Sequence, residues 1–206
     1  MAGLREQQKA DRKRRILAAA EAQFREHGYE DTKIEKIAAA AGVSVGTVYN
    51  YVENKSDLLM ILVTEHINFV TGEIDELIKS PPTDLVDGVS GVFFAMTRHS
   101  LDHLGKENWR HLFGLSIAHR DTTVGRDFAE YNLTLLDCIV RMLEALRENG
   151  VLHPACDPDQ LGSILFRVET MHYIDLAAHD DITFEDYKAQ LLGDLRFILE
   201  PLKATG

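Results

Sequence analysis

The sequence predicts an all-α fold built from about nine helices. Apolar residues recur three and four positions apart along the chain, and no segment shows a sustained two-residue alternation rich in Val, Ile and Thr. Helix start and stop signals punctuate these apolar stripes. A content of 45% hydrophobic and 27% charged residues, with five prolines, is typical of a folded globular protein and excludes wholesale disorder.

The first helix is predicted from an apolar stripe whose opposite face is charged, and Gly28 is expected to end it in the left-handed conformation. The stripe consists of Ile16, Leu17, Ala20 and Phe24. The preceding segment is basic, with Arg5, Lys9, Arg12, Lys13, Arg14 and Arg15. These side chains either lie against phosphates or form a solvated helix entry, and charge alone does not decide between the two.

Two short helices follow, joined by a tight turn that contains glycine. Thr32 and Glu35 have the spacing of a capping box, which predicts a helix over Ile34 to Ala41. Ser44 is a typical N-cap and predicts a third helix over Val45 to Tyr51. A basic segment followed by this arrangement predicts a helix-turn-helix unit.

The rest of the chain continues as helices with well-marked ends. A start signal at Asn54 to Asp57 predicts a long helix over residues 55–79, which the prolines after Ser80 stop. Further start signals occur at Asp157-Pro158 and at Thr183. Five more helices are predicted at about 84–103, 107–118, 123–149, 158–178 and 184–201.

Charge divides the chain into two parts. The net charge is -11, but residues 1–55 hold ten Lys and Arg against eight Asp and Glu, whereas residues 56–206 carry a net charge of -13. Together with the predicted helix-turn-helix unit, this division leads us to expect a DNA-binding domain over 1–55 and a second helical domain over 56–206. Two cysteines do not support a disulfide framework or a structural zinc site. With no apolar run of about 20 residues and no signal core, a cytoplasmic location is expected.

The third helix carries the side chains expected to read DNA. Hydroxyl and amide groups there can reach base edges or phosphates, and a glycine allows close approach of the backbone. Residues at the starts of the second and fourth helices can contact phosphates. The predicted DNA-binding residues are Thr32, Lys33, Ser44, Val45, Gly46, Thr47, Tyr49, Asn50, Tyr51 and Lys55.

Residues 29–59 resemble the DNA-binding signature of the tetracycline-repressor (TetR) family of bacterial transcription regulators. The resemblance rests on Thr32, Ile37-Ala38, Ala41 to Ser44, Gly46-Thr47, Tyr49, Tyr51, Lys55 and Leu58-Leu59. Two positions depart from the family pattern. Val52 stands where a phenylalanine is usual, and Tyr51 stands where histidine is frequent.

The resemblance implies a three-helix DNA-binding domain followed by a larger helical domain for ligand binding and dimerisation. It implies three partners: double-stranded operator DNA of palindromic sequence, a small organic effector, and a second copy bound through the last two helices, about 158–201. In similar proteins the effector occupies a cavity in the second domain and moves the helix equivalent to residues 55–79, so that DNA is released.

Cavity-lining residues are expected among the aromatic and polar residues of the second domain. The candidates are Phe69, Phe94, Trp109, Phe113, Phe166, Glu169, His172 and Tyr173. Any one of the aromatic residues could instead simply fill the core. Glu169, His172 and Asp175 lie three apart on one helix and face either a cavity or a partner subunit.

The sequence does not support metal binding or catalysis. His99 with His103 and Glu169 with His172 have ligand-like spacings but lack a third ligand, so we assign no metal and no cofactor. Gly114 to Ala118 resembles a nucleophile elbow but lacks its last glycine and lies in a helical stretch. We therefore expect a regulator rather than an enzyme. The alternative is a helical enzyme or protein-binding scaffold without specific DNA binding.

Overall fold

The computed structural model describes residues 2–65 and 67–204, and this part of the chain is helical as predicted. Its only β-type pairing is an isolated bridge between Leu152 and Lys203. The helices are α1 (Ala2–Asp31), α2 (Ile34–Ala41), α3 (Val45–Tyr49), α4 (Lys55–Glu65), α5 (Ile67–Lys79), α6 (Leu85–Ala118), α7 (Thr123–Glu148), α8 (Pro158–Ala178) and α9 (Phe184–Leu199), followed by a 3-10 turn over Glu200–Leu202. None of the helices in the described part is long and apolar enough to cross a membrane.

The chain forms two compact units. The first, which we call the head unit, comprises the described residues up to 65 together with 103–128. The second, the body unit, comprises the described residues of 66–102 and 129–206. The predicted domains, 1–55 and 56–206, stay a prediction, because spatial compactness does not by itself show which part folds independently.

The head unit has an apolar core that includes the C-terminal half of α6. Ile16 and Phe24 from α1 are buried together with Ile37 from α2 and Val48 from α3. The amide of Asn108 on α6 donates to the carbonyl oxygens of Phe24 at 2.9 Å and Leu104 at 2.7 Å. These contacts place the second half of α6 in the same unit as the short helices.

The predicted capping box at Thr32 and Glu35 is wrong. Regular helix geometry is interrupted at Gly28, which has a positive φ of 71° as expected but a ψ of 175°, outside the left-handed helical region. The Thr32 hydroxyl donates to the Gly28 carbonyl at 2.6 Å and the Gln23 carbonyl at 3.0 Å. The buried Thr32 hydroxyl is therefore bonded to carbonyls of α1, and Lys33 occupies the N-cap of α2 without a side-chain cap.

The other helix signals are borne out by their hydrogen bonds. Asn54 accepts from the Asp57 amide at 3.0 Å, and Asp57 accepts from the Asn54 amide at 3.1 Å. The long helix predicted over 55–79 is described as α4 and α5, and His66 between them lies outside the described residues. The break predicted between 103 and 107 coincides with Gly105, whose φ of 72° interrupts α6.

The body unit begins its last two helices with the predicted caps. Asp157 accepts from the amides of Asp159 and Gln160 at the start of α8. Thr183 and Asp186 form a reciprocal capping box at the start of α9. These local bonds fix the ends of α8 and α9, whose buried faces meet in the core of the unit.

Candidate nucleic-acid interface and ligand site

The α2–turn–α3 segment is held by a glycine and a serine. Gly42 adopts the left-handed conformation, with φ 64° and ψ 40°, and its amide caps the C-terminus of α2. The Ser44 hydroxyl oxygen accepts from the Thr47 amide at 3.2 Å and lies 2.8 Å from the Thr47 hydroxyl. Val48 is buried beneath α3. The turn and cap therefore fix how α3 is presented.

The opposite face of α3 is open to solvent. Tyr49 is 51% exposed, and Gly46 and Asn50 are also exposed. Tyr51 is half-buried, and its hydroxyl donates to the Lys9 carbonyl at 3.3 Å. The remaining predicted reading residues lie at the start of the helix, where Ser44 is exposed while Val45 and Thr47 are half-buried.

The two residues predicted to support phosphate contacts from α4 and the start of α2 are instead turned toward the protein. The Lys55 ammonium donates to the carbonyls of Tyr29, Thr32 and Glu30 at 2.5, 3.0 and 3.2 Å. An ammonium has three donors, so none is left for a phosphate. Thr32 is 2% exposed and its hydroxyl also points inward. Both side chains thus bind backbone carbonyls in this structure, and their phosphate contacts stay a prediction.

Lys33 has the environment that a phosphate contact needs. It is exposed, and its ammonium makes no ion pair with any residue that the structure describes. Its neighbour Lys36 is also exposed, one turn further along α2. The basic segment of residues 5–15 is helical, being part of α1, and its Lys9 side chain is exposed as well.

Tyr29 connects three elements of the head unit. Its ring stacks on His111 of α6 with 3.6 Å between centroids, and the Lys55 ammonium lies 4.2 Å from the ring centre. Its hydroxyl lies 2.6 Å from that of Ser56 on α4. Burial raises the Tyr29 pKa and lowers that of His111, so both groups are neutral at pH 7. Tyr29 thereby fixes the start of α4 beside α6.

A groove of about 400 Å³ lies beside this junction in the head unit. Gly114, Leu115 and Ala118 form its apolar wall on α6. Tyr29, Glu30, Glu107, Arg110 and His111 complete the lining. The charged residues of both signs around an open apolar floor do not select one class of ligand.

A buried polar cluster lies in the body unit. The Glu169 carboxyl is 5% exposed, and its Oε1 accepts from the Thr97 hydroxyl at 3.0 Å and the Tyr187 hydroxyl at 2.9 Å. The two hydroxyl oxygens are themselves 2.9 Å apart. Burial is the main cause that raises the pKa of Glu169 to about 7.

Further hydroxyl groups surround this carboxyl. Tyr131 on α7 and Tyr173 on α8 are buried, and both lie near Ser100 on α6. Sequence reasoning named Glu169 and Tyr173 but missed Thr97, Ser100, Tyr131 and Tyr187, which lie on three other helices. Two of them, Thr97 and Ser100, lie three positions apart among apolar residues of α6, and this spacing was the signal that could have found them.

The other predicted ligand residues are spread over both units. Trp109 and Phe113 pack against each other in the head unit, with tilted rings and 5.9 Å between centroids. In the body unit, Phe94 packs edge-on against Tyr187 at 6.3 Å, whereas Phe69 is 65% exposed and stacks on His99.

Two residues of α8 complete the predicted set. Phe166 is half-buried, and His172 lies 2.9 Å from Asp194 on α9. The ring nitrogen Nε2 of His172 is therefore already hydrogen-bonded to an aspartate on α9. Within the described ranges, no three His, Cys, Asp or Glu side chains are grouped as a metal site would require.

Comparison with known proteins gives a consistent set of relatives. Residues 16–60 match the tetR family of bacterial regulatory proteins. The A-factor receptor protein of Streptomyces griseus is 27% identical over 193 residues, which is 94% of this chain and 64% of that protein. The fatty acid metabolism regulator protein of Bacillus subtilis (strain 168) is 37% identical over 76 residues, 37% of this chain and 39% of that protein.

The chain thus spans less than two thirds of the length of these two relatives. A crystal structure of Thermus thermophilus FadR, a TetR family transcriptional repressor in complex with lauroyl-CoA, is similar over nearly the whole chain. The TM-score is 0.70 at 25% identity, covering 94% of this chain and 96% of that chain.

Proposed function

We propose that the chain is a ligand-responsive transcriptional repressor of the tetR family of bacterial regulatory proteins, whose pattern residues 16–60 match. It binds a palindromic operator as a homodimer and leaves the DNA when a small organic effector binds the body unit. The relatives are regulators rather than enzymes. Operator binding would place the protein in the cytoplasm with the chromosome.

The observation that carries this proposal is the presentation of α3. Its inner side is buried at Val48 and its start is capped by Ser44, while Tyr49 and Asn50 project into solvent. A rigidly held short helix with exposed hydroxyl and amide groups suits insertion into the major groove. Lys33 at the start of α2 supplies an uncommitted positive charge for the adjacent phosphates.

A homodimer through α8 and α9 is supported by apolar side chains left exposed on these helices. Ile164 and Met171 are seven residues apart on α8, and both are exposed. Phe197 on α9 is 86% exposed. Burying such residues in a two-fold interface would present two reading helices, which suits half-sites spaced by about 34–36 Å or a multiple of it.

The effector site is proposed at the Glu169 cluster, where four helices of the body unit bring polar groups into an aromatic surrounding. One relative is a receptor for A-factor by its name, and Thermus thermophilus FadR binds lauroyl-CoA. An effector lowers operator affinity only if it binds the released state better than the DNA-bound state. A coupling of about 1–3 kcal/mol changes operator affinity roughly 5- to 150-fold.

A gel-shift titration tests this function. Wild-type protein should give a specific band with the DNA upstream of its own gene, at a stated salt concentration and against excess non-specific competitor. Tyr49→Ala should weaken that band about 5- to 150-fold, because a base contact is worth about 1–3 kcal/mol. Asn132→Ala on α7 is the control and should bind as the wild type does.

Two results would remove the proposal. A wild-type protein with no specific band would point to a scaffold or an enzyme. A Tyr49→Ala protein that binds with full affinity would exclude α3 as the reading helix. Circular dichroism and sedimentation of each variant would show that fold and oligomeric state are retained.

A further inference from the structure

The Glu169 carboxyl lacks a cationic partner. Within residues 2–65 and 67–204, both hydrogen bonds that it accepts come from neutral hydroxyl groups, those of Thr97 and Tyr187, and no salt bridge reaches it. A buried carboxylate without a counter-charge is costly, so such groups are paired or protonated in folded proteins. The ionised form of the Glu169 carboxyl therefore has no counter-charge among the described residues.

Burial and hydrogen bonding act in opposite directions on the Glu169 carboxyl. Thr97 Oγ1, Tyr187 Oη and Glu169 Oε1 form a triangle with sides of 3.0, 2.9 and 2.9 Å. The two hydroxyls donate to Oε1 and favour the ionised carboxyl, whereas burial favours the protonated form. Burial outweighs the two bonds and raises the pKa to about 7, so the carboxyl of the empty site is protonated below that pH.

The second carboxyl oxygen remains for a ligand. Both hydrogen bonds fall on Oε1, so Oε2 accepts neither, while the residue keeps 5% of its surface accessible. Three buried tyrosines lie near the carboxyl, Tyr131, Tyr173 and Tyr187, and Phe94 packs edge-on against Tyr187. Carboxylates and aromatic rings both attract organic cations.

We propose that the effector is an organic amine whose ammonium group donates to Oε2 of Glu169 in the body unit. This inference rests on the proposed function, since it names the chemical class of that effector. On binding, the carboxyl proton passes to solvent, the two hydroxyls both donate to Oε1, and the ammonium supplies the missing positive charge. A carboxylate ligand would instead face the acid with no cation to neutralise it.

Proton release makes amine binding depend on pH. Glu169 has a pKa of about 7, so its ionised fraction rises about tenfold between pH 6 and pH 8, and amine affinity should rise by the same factor. The titratable groups facing it are Tyr131, Tyr173 and Tyr187, whose pKa values burial raises, so they keep their protons over this range. Alkyl amines stay protonated up to about pH 10.

The experiment uses chain-matched probes on the full-length protein. Calorimetric titrations with 2-phenylethylamine, 2-phenylethanol and phenylacetate, and with octylamine, octanol and octanoate, compare the three head groups on the same carbon skeletons. Lauroyl-CoA serves as the anionic acyl probe. The amines should bind at least about tenfold more tightly than the matched alcohols and carboxylates, and they should release the operator DNA in the gel shift.

Glu169→Gln keeps the shape of the side chain and removes its charge. It should weaken amine binding about 10- to 150-fold, which is the range expected for a charged hydrogen bond, and abolish the pH dependence. Glu144→Gln on α7 makes the same change at an exposed site and should leave amine binding unchanged. The pH series on the wild-type protein needs no variant, so it holds even if Glu169→Gln folds poorly.

The outcomes separate this inference from the proposed function. If the operator is shifted but carboxylates, alcohols or lauroyl-CoA bind better than amines, or no amine binds, the amine assignment is overturned while the repressor stands. Amine binding that is insensitive to Glu169→Gln and to pH also overturns it. Glu169-dependent amine binding without any operator shift would support the site and refute the repressor.

Discussion

Both Lys55 and Lys33 lie at a helix start in the head unit, but their substitutions should change different properties. Substitution of Lys55 should lower the stability of the protein, whereas substitution of Lys33 should weaken its salt-dependent binding to DNA. The Lys55 ammonium donates to three carbonyls, two of them partly buried, and lies 4.2 Å from the Tyr29 ring centre. At about 1 kcal/mol for each partly buried bond and about 0.5–1 kcal/mol for the ring contact, Lys55→Met should lower the free energy of unfolding by about 2–3 kcal/mol.

Lys33→Met is the matched control, because Lys33 is exposed and has no ion pair within the described part of the chain. It should change the free energy of unfolding by less than about 0.5 kcal/mol. It should, however, reduce the slope of log operator affinity against log salt by about 0.9 for each phosphate that the variant no longer neutralises. Urea unfolding at fixed protein concentration and gel shifts at several salt concentrations measure the two effects.

Lys55→Met should leave the salt slope unchanged at temperatures where the variant is fully folded. A variant that unfolds like the wild type but loses salt dependence would refute the reasoning, because Lys55 would then face a phosphate rather than the carbonyls. Equal salt slopes for Lys33→Met and wild type would remove Lys33 from the DNA interface.

Two further predictions concern the fold and the assembly. Gly28→Ala should lower the free energy of unfolding by about 1–3 kcal/mol, because Gly28 has φ 71° and ψ 175° and an added Cβ would meet the Glu107 carboxyl. Gly72 lies in open space within α5, so Gly72→Ala should instead raise the free energy of unfolding by up to about 1 kcal/mol. Urea unfolding measures both changes. Phe197→Glu should convert the dimer into monomers in sedimentation experiments, since Phe197 is 86% exposed on α9; a dimer that persists would move the interface away from this face.

The helix ends could be predicted from the sequence because their signals act over a few residues. Ser44, Asp157 and Thr183 each bond to backbone amides two or three positions ahead, and all three caps are present. Such bonds form within the helix whatever the rest of the chain does. The interruption at Gly28 was visible for the same reason, since only glycine readily takes a positive φ, and Gly105 has a positive φ within the predicted gap between 103 and 107.

Thr32 shows where this local reasoning fails. Its hydroxyl could cap α2 or reach back to α1, and the sequence contains a partner for either choice. The structure selects the carbonyls of Gly28 and Gln23, because burial without those bonds would leave backbone acceptors unpaired. The carbonyl contacts of Lys55 could not be predicted for a similar reason, since its three partners lie more than twenty residues away.

The Glu169 cluster could be predicted only in part. Glu169 and Tyr173 are four apart on α8, so helical periodicity places them on one face. Thr97 and Tyr187, which complete the hydrogen-bonded triangle, come from α6 and α9, and their approach to Glu169 depends on how the helices pack. The spacing of residues within one helix does not predict how that helix packs against others.

The acidic composition of the chain is compatible with DNA binding for a physical reason. Salt screens charges over about 8 Å under physiological conditions, so a phosphate responds to the few side chains near it rather than to the net charge of -11. Lys33, Lys36 and Lys9 are exposed in the head unit and can supply that local charge. Residues 56–206, with a net charge of -13, oppose adsorption to DNA that does not engage these lysines. The charge asymmetry therefore favours DNA contact through the exposed lysines of residues 1–55.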